Sequence, residues 1–220
     1  MISSKKILHL GKTNTNYFPT WDVDYNPIIA SHSIPLKKEN LSILPNVTHM
    51  VITSKETVIH FLKPYKQKFY EKLKILSIGP FTTSALKKEN FNVFCQANDY
   101  SQEGIIELFE NIKDKNMHIG LPRSASARTN LDDYLNQKKI PYSIFSCYDT
   151  VFNKNFSKVN LDEFQGIFFT SPSCVWFFFE IYALIPAHIT LYAIGSITES
   201  ALISKRKEFK LLNNILKIKH

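Results

Sequence analysis

The chain alternates short apolar runs with segments of helical periodicity. Four of the runs lead into a small polar residue or a glycine, after which apolar positions recur at helical spacing; they are HMVIT, KILSI, GIFFT and TLYAI. An apolar run of β-forming residues followed by a capped helical segment is typical of a βα unit. Because such units alternate along the chain, the pattern predicts an α/β fold with parallel sheets.

Two phrases within this pattern occur twice and in the same order. ILSIGPFTTSAL (75–86) and LYAIGSITESAL (191–202) share Ile-Gly-x-x-Thr-x-Ser-Ala-Leu, and each follows a Thr-Ser pair, in VITSKETV and FFTSPSCV. The repetition of two separate phrases indicates an internal duplication. Proline directly after Gly79 and after Ser171 favours the start of a helix at both places.

Further runs predict the remaining elements. FNVFCQ, MHIGL and YSIFSCYDTVF predict strands, whereas QEGIIELFENI, capped by Ser101, and SASARTNLDDYLNQ predict helices. Near the start of the chain, KKILHL and PIIASHSIPL predict two strands. The segment between them, GKTNTNYFPTWDVDYN, has no helical period and is expected to be a loop or one irregular turn.

The two N-terminal strands need partners in a sheet, and the C-terminal copy of the repeat is short. Joining these two regions gives a second sheet of similar size. We therefore expect two parallel-sheet α/β domains, of which one is discontinuous, and two linkers that cross between them. The expected domains are 1–34 plus 158–220 and 41–150, and the expected linkers are 35–40 and 151–157.

Ligands of open parallel sheets bind beyond the carboxyl ends of the strands, where the next helices begin. The N–H groups and the dipole at a helix start favour carboxylates or phosphates. If the domains face each other, one cleft would have two such edges. The repeated phrases supply the candidate binding residues: Thr53, Ser54, Gly79 and Thr82 in one domain, and Thr170, Ser171, Ser173, Gly195, Ser196 and Thr198 in the other. The alternative for each hydroxyl is that it only caps a helix.

The formal net charge of +8 comes mostly from lysines that are spread along the chain. Dispersed lysines favour a solvated surface, but a positive field also attracts an anionic substrate, or alternatively nucleic acid. The three arginines are Arg123, Arg128 and Arg206. Because arginine binds carboxylate or phosphate in a fixed fork, Arg123 at the end of a strand is a further candidate for substrate contact. Arg128 lies within a predicted helix and is expected to be solvated.

Several classes of site lack their motifs in this sequence. The glycines are too far apart for G-x-G-x-x-G or a P-loop, there is no G-x-S-x-G, and the histidines form neither H-E-x-x-H nor a ligand pair with a cysteine. We therefore expect no cofactor and no metal. The paired acids Asp132 and Asp133 lie on a polar helix face and are expected to be solvated.

The cysteines and the apolar segments bear on where in the cell the protein is expected. Cys95, Cys147 and Cys174 lie far apart, which suits reduced thiols in the cytoplasm. MISSKKILHLGK has no apolar core of signal-peptide length, and CVWFFFEIYALIPA is short for a membrane span. We expect a soluble cytoplasmic protein that does not bind membranes.

An ordered set of motifs between Thr48 and Leu202 resembles the uroporphyrinogen-III synthase family. The motifs are Thr-Ser-x-x-x-Val, Ile-Gly-x-x-Thr-x-x-Ala-Leu, Tyr-Ser-x-Glu-Gly, Leu-Pro-Arg and Cys-Tyr-Asp-Thr, followed by second copies of the first two. The resemblance implies two α/β domains joined by a two-stranded linker. It also implies a lyase of heme biosynthesis without a cofactor, which acts on hydroxymethylbilane, a linear tetrapyrrole with many carboxylates.

The resemblance further implies the reaction. Loss of the terminal hydroxyl gives an azafulvene, and attack through the substituted carbon of ring D gives a spiro intermediate that recloses with that ring inverted. Closure without the enzyme gives the uninverted type I isomer. Since the substrate itself becomes the electrophile, the protein mainly holds one geometry. The family's tyrosine proton donor matches Tyr148, for which the alternative is an aromatic residue that packs between domains, and Thr82, Ser171 and Thr198 match positions that line the cleft.

Two regions depart from the family pattern. The first strand of the family ends in Thr-Arg-Pro, where this chain has LHLGKTN, so that either Lys12 replaces the arginine or nothing does. The end of the chain, KEFKLLNNILKIKH, lacks the strand-helix unit that closes the other half. The alternative hypothesis is a non-catalytic, two-lobed α/β module that binds an anionic ligand or nucleic acid. For the enzyme we expect a monomer, and a transient transfer of substrate from the upstream deaminase is left open.

Overall fold

The computed structural model describes residues 5–14, 17–69, 72–114, 116–127 and 129–218, so that Arg128 lies outside the described residues. The chain forms two compact units. The discontinuous unit is Met1–Ala30 with Thr150–His220, and the continuous unit is Ser31–Asp149. The chain passes from one unit to the other within two neighbouring strands, β3 (Ile29–Ser33) and β8 (Tyr142–Phe152). The prediction of two α/β domains with a two-stranded connection is confirmed.

The sheet of the continuous unit has the order β3-β8-β7-β4-β5-β6. Its other strands are β4 (His49–Ile52), β5 (Lys74–Ser77), β6 (Val93–Gln96) and β7 (Ile119–Ser124). Strands β4 to β8 pair in parallel. Counted along the chain, these five strands stand in the order 3-2-1-4-5, so that the order reverses between β4 and β7. Ligands of open α/β sheets bind at this kind of reversal.

Helices cover both faces of this sheet, which is why β4 is buried throughout. Met50 and Ile52 pack in one core with Phe61, whereas Val51 packs in a second core with Leu76. Successive side chains of a strand point to opposite faces, so a wholly apolar strand requires cover on both sides. The helices are α1 (Lys38–Ile43), α2 (Lys55–Thr57), which continues through a π-helical turn (Val58–Leu62) into α3 (Lys63–Tyr65), α4 (Pro80–Lys88), α5 (Gln102–Asn111) and α6 (Asn130–Gln137), with 3-10 turns at Leu44–Asn46 and Lys66–Lys68.

The sheet of the discontinuous unit has the order β11-β10-β9-β1-β2, and its strands pair in parallel. They are β1 (Lys6–His9), β2 (Asp22–Tyr25), β9 (Gly166–Phe169), β10 (Thr190–Ala193) and β11 (Ile215–Lys217). The helices are α7 (Pro172–Ile181) and α8 (Ser196–Glu208), with a 3-10 turn at Leu161–Glu163. The aromatic helix α7 buries Cys174, Val175, Phe178 and Phe179 in the core.

Two expectations from the sequence fail locally. The segment expected to be a loop contains β2, which pairs with β1 at the edge of the sheet. The C-terminal segment expected to lack a strand-helix unit supplies the strand half of it, β11. In addition, the segment 35–40, expected to be a linker, includes the first turn of α1. None of the helices in the described residues has the length and apolarity needed to cross a membrane.

Candidate functional site

The Thr-Ser pairs of the repeat lie at the ends of β4 and β9, and each serine begins a helix. Ser54 Oγ accepts a hydrogen bond from the backbone N–H of Glu56 at 3.1 Å. Ser171 Oγ accepts one from the backbone N–H of Cys174 at 3.3 Å. Both serines have the extended backbone of an N-cap residue. The two Thr-Ser phrases therefore have the same local structure, as the repeat predicts.

The glycines of the repeat precede the next helices, Gly79 before α4 and Gly195 before α8. Both have extended backbone, so neither position needs glycine for its dihedral angles. The two positions differ in how much room surrounds them. A β-carbon at Gly79 would lie 3.0 Å from the ring of Tyr100, whereas one at Gly195 would meet nothing within 4 Å. Tyr100 thus lies against the start of α4, and the start of α8 is open.

The other predicted residues from the repeat fall on the same edges. Thr82 in α4 and Thr198 in α8 occupy equivalent positions, and both are buried. Thr53 and Thr170, at the strand ends, and Ser173 are half-buried, and Ser196 is exposed. The structure brings Thr53, Ser54, Gly79 and Thr82 to the carboxyl edge of one sheet, and Thr170, Ser171, Ser173, Gly195, Ser196 and Thr198 to that of the other. Their binding of a substrate stays a prediction.

Two hollows in the continuous unit share Thr53 and Gln102 as lining residues. The larger, of about 260 Å³, is also lined by Ile78, Tyr100, Ser101 and Glu103. The smaller, of about 30 Å³, extends beside Leu121 and Arg123 and has room for about one water molecule. The smaller hollow lies where the strand order reverses between β4 and β7, the place expected for a ligand, and the larger one lies beside it at the ends of β4 and β5.

Arg123 at the end of β7 forms a bidentate ion pair. Its Nη1 donates to Oδ1 of Asp132 at 2.6 Å, and its Nη2 donates to Oδ2 at 2.7 Å. Asp132 is buried and Asp133 is exposed. The prediction that both acids are solvated is therefore wrong for Asp132, because α6 packs this position towards the arginine of β7. The contact of Arg123 with a substrate stays a prediction, and any such contact would share the guanidinium with Asp132.

Tyr148 lies on β8 and is 8% exposed. Its ring stacks on that of His60, with 5.6 Å between the ring centroids. Burial raises the pKa of Tyr148, and a hydrogen bond with the side chain of Ser54 opposes that rise in part. The phenol is protonated at neutral pH even without this rise, and the rise favours the protonated form further.

Two polar residues beside Tyr148 were missed from the sequence. Glu56 accepts a hydrogen bond from Ser31 Oγ and lies 3.4 Å from Nε2 of His60. The other ring nitrogen of His60, Nδ1, is 2.6 Å from Ser33 Oγ. The two side chains are four residues apart in the helix that Ser54 begins, and this spacing was the available signal.

The histidines, cysteines and acids of the described residues form no metal site. Among the described residues, no three side chains of His, Cys, Asp or Glu lie close enough together to hold a metal ion. Cys95, Cys147 and Cys174 are free thiols. Burial raises the pKa of Cys147 to about 12, so this thiol is protonated and is a poor nucleophile.

Comparisons with known proteins identify the family. The chain matches the family model HEM4, described as uroporphyrinogen-III synthase HemD, over residues 26–207. A comparison with curated proteins gives no match. The structure is similar to uroporphyrinogen-III synthetase from Helicobacter pylori, with 16% identity, a TM-score of 0.63, and coverage of 96% of this chain and 92% of that one.

A second similar structure is a mutant of uroporphyrinogen III synthase from the extremely thermophilic bacterium Thermus thermophilus. It is 13% identical, the TM-score is 0.58, and the alignment covers 97% of this chain and 92% of that chain. At this level of identity the two structures show the shared two-domain fold, and the family match rests on the sequence. The chain belongs to the uroporphyrinogen-III synthase family.

Proposed function

We propose that the protein is a uroporphyrinogen-III synthase, a lyase of heme biosynthesis that cyclises hydroxymethylbilane with inversion of ring D and loss of water. The observation that carries the proposal is the family match over residues 26–207. That range contains both copies of the repeat, Arg123 and Tyr148.

The helix starts at the two carboxyl edges suit a substrate with many carboxylates. The first N–H groups of a helix have no acceptor within the helix, and the helix dipole favours negative charge there. Gly195, which has open space around it, lets the substrate approach the backbone, whereas the ring of Tyr100 lies against Gly79. We propose that substrate carboxylates are bound by Thr53, Ser54, Gly79, Thr82 and Arg123 in the continuous unit, and by Ser171, Ser173, Gly195, Ser196 and Thr198 in the discontinuous unit.

Tyr148 is the proposed proton donor. The terminal hydroxyl of hydroxymethylbilane leaves as water only when it gains a proton, which is a general-acid step. The phenol of Tyr148 is protonated at neutral pH, as for any tyrosine with a pKa near its ordinary value of about 10, and burial raises that pKa further. Ring closure releases a proton that restores the phenol, so the net change is the loss of one water molecule. The azafulvene and spiro intermediates need orientation rather than a nucleophile from the protein.

Further parts of the proposal concern the cofactors, the compartment and the oligomeric state. We propose that it needs neither metal nor nucleotide, and that the protein acts as a cytoplasmic monomer. The domain limits 1–34 plus 158–220 and 41–150 stay predictions, as does a transfer of substrate from the deaminase that makes it. The family match does not favour the alternative of a non-catalytic module for an anionic ligand or nucleic acid.

The test is the isomer composition of the product. Purified protein is given enzymatically made hydroxymethylbilane with a metal chelator and without nucleotide, and the uroporphyrin isomers are separated after oxidation. We expect the type III isomer, whereas a blank without protein gives type I. Type I alone, at the rate of the blank, would contradict the proposal.

A substitution on β8 tests the role of the tyrosine. Tyr148→Phe should slow the formation of type III while the circular dichroism spectrum stays unchanged. Tyr142→Phe, on the same strand and half-buried, is the matched control and should react like the wild type. A wild-type rate in Tyr148→Phe would remove this tyrosine from the mechanism.

A further inference from the structure

The carboxamide oxygen of Gln102 is buried and has no hydrogen-bond partner among the described residues. Polar groups around it do have partners. Ser101 Oγ donates to Asp99 Oδ2 and accepts from the backbone N–H of Gly104, and the Arg123 fork is paired with Asp132. A buried acceptor without a partner lowers stability, and folded proteins contain few of them. This oxygen therefore calls for a partner from outside the chain.

The place of Gln102 suggests what kind of partner that is. Its side chain lines both hollows at the carboxyl edge of the continuous unit. The larger hollow, of about 260 Å³, has room for a group much larger than water. Tyr100 supplies an aromatic wall there, and the residue is 63% exposed although its ring lies against Gly79. An exposed aromatic ring beside a buried acceptor suits a flat ligand that has a donor in its plane.

The chemistry of the acceptor narrows the ligand group. An amide oxygen accepts hydrogen bonds and repels carboxylates, so it does not serve the acidic side chains of the proposed substrate. The pyrrole rings of that substrate carry N–H donors in the ring plane. We infer that Gln102 is a further substrate-binding residue: when substrate enters the larger hollow, the carboxamide turns so that its oxygen, which is otherwise buried, accepts a pyrrole N–H, while the ring of Tyr100 packs against the pyrrole face.

This inference rests on the proposed function and deepens it. The helix starts would bind the carboxylates, and Gln102 would fix a ring itself. Such a contact limits how a pyrrole can turn within the site, which matters for a reaction whose outcome depends on ring orientation. The competing explanation is one water molecule in the smaller hollow, bound to the same oxygen.

The experiment compares Gln102→Met with the wild type. Methionine has nearly the same length and no comparable acceptor, so loss of the contact should raise KM for hydroxymethylbilane about tenfold and change kcat little. Because a buried unpaired oxygen is removed, Tm should stay equal or rise. The control is Gln137→Met, on the exposed end of α6, which should leave both KM and Tm unchanged.

The outcomes separate this inference from the proposed function. If the wild type makes type III and Gln102→Met keeps the wild-type KM, the inference is wrong and a water molecule accounts for the oxygen. If KM rises but Tm falls, Gln102 supports the fold instead and the inference is also wrong. If the wild type makes only type I, the proposed function itself has failed, and the inference falls with it.

Discussion

The two copies of the repeated phrase form the same local structure in different surroundings. In each copy a strand ends in a Thr-Ser pair, the serine caps a helix, and a glycine precedes the second helix. Around Gly79, however, Tyr100 closes in from the loop after β6, whereas Gly195 has open space. The repeated phrase thus specifies where the helices start. The residues that surround each helix start come from other parts of the chain.

The same contrast extends to the charged and polar residues of each unit. The continuous unit has Arg123 and Asp132 as a bidentate pair in which Asp132 is buried and Arg123 is half-buried. The discontinuous unit has His9 completely buried among aromatic rings, with centroids of Tyr25 and Phe168 at 5.4 and 5.0 Å. In the continuous unit the charge of Asp132 is therefore neutralised by an ion pair, whereas in the discontinuous unit the imidazole of His9 lies in an apolar site.

The largest effect on stability is expected when Arg123 loses its ion-pair partner. Asp132→Ala should lower the free energy of unfolding by about 3 kcal/mol, because the guanidinium of Arg123 loses its bidentate partner in a buried place. Urea unfolding measures the change, and Asp133→Ala, at the exposed neighbouring position, is the control. If Asp132→Ala and Asp133→Ala lower the free energy of unfolding equally and only slightly, the ion pair of Arg123 and Asp132 does not stabilise the continuous unit and the account is wrong.

A second effect is expected in the discontinuous unit, at acidic pH. Burial lowers the pKa of His9 below its ordinary value of 6.5. The unfolded chain therefore binds a proton at a pH where the folded chain does not, so stability is fully present above about pH 6.5 and falls as the pH drops towards the lowered pKa.

His9→Leu should flatten this pH dependence and add about 1 kcal/mol at neutral pH, since both ring nitrogens lack partners among the described residues. Unfolding midpoints between pH 5 and 8 measure it. The comparison variant is His49→Leu in the continuous unit, where burial also lowers the pKa but Asp114 opposes the shift. A steeper change on loss of His49 than on loss of His9 would contradict this account of the two units.

The smallest effect concerns the two glycines. Gly79→Ala should cost about 0.5 kcal/mol more than Gly195→Ala, because its β-carbon presses on Tyr100 and the ring must move. The difference should vanish in a Tyr100→Ala background, which makes the two sites alike. A cost that persists without the tyrosine ring would have to come from the helix start itself.

What the sequence predicts well depends on how local the signal is. The strands and caps of the repeat follow from residues that are adjacent in the chain, and they were predicted correctly. The edge strand β2, DVDY, was missed because it is only four residues long, pairs on one side with β1 and is only partly buried, so the alternation of Val23 and Tyr25 with two aspartates is too short to stand out. Asp132 was misjudged because its partner, Arg123, comes from a different element.

The residues of the candidate site likewise fall into those that the sequence predicts and those that it does not. Thr53, Ser54 and Gly79 could be named from the sequence, because parallel strands bring their ends to one edge. Gln102 carries no such signal, since its significance lies in a buried oxygen without a partner among the described residues. The pairing of Arg123 and the ring stack of His60 on Tyr148 likewise depend on contacts between distant parts of the chain.

The central claim is that both copies of the phrase bind substrate and do more than start helices. Thr82→Val and Thr198→Val, made at equivalent buried positions, remove one hydroxyl from each copy and keep the side-chain shape. The direct measurement is kcat/KM for type III formation in the two variants beside the wild type, with Tm as the check on folding. The account predicts a loss of about tenfold in both; a wild-type value in either variant at unchanged Tm would contradict it.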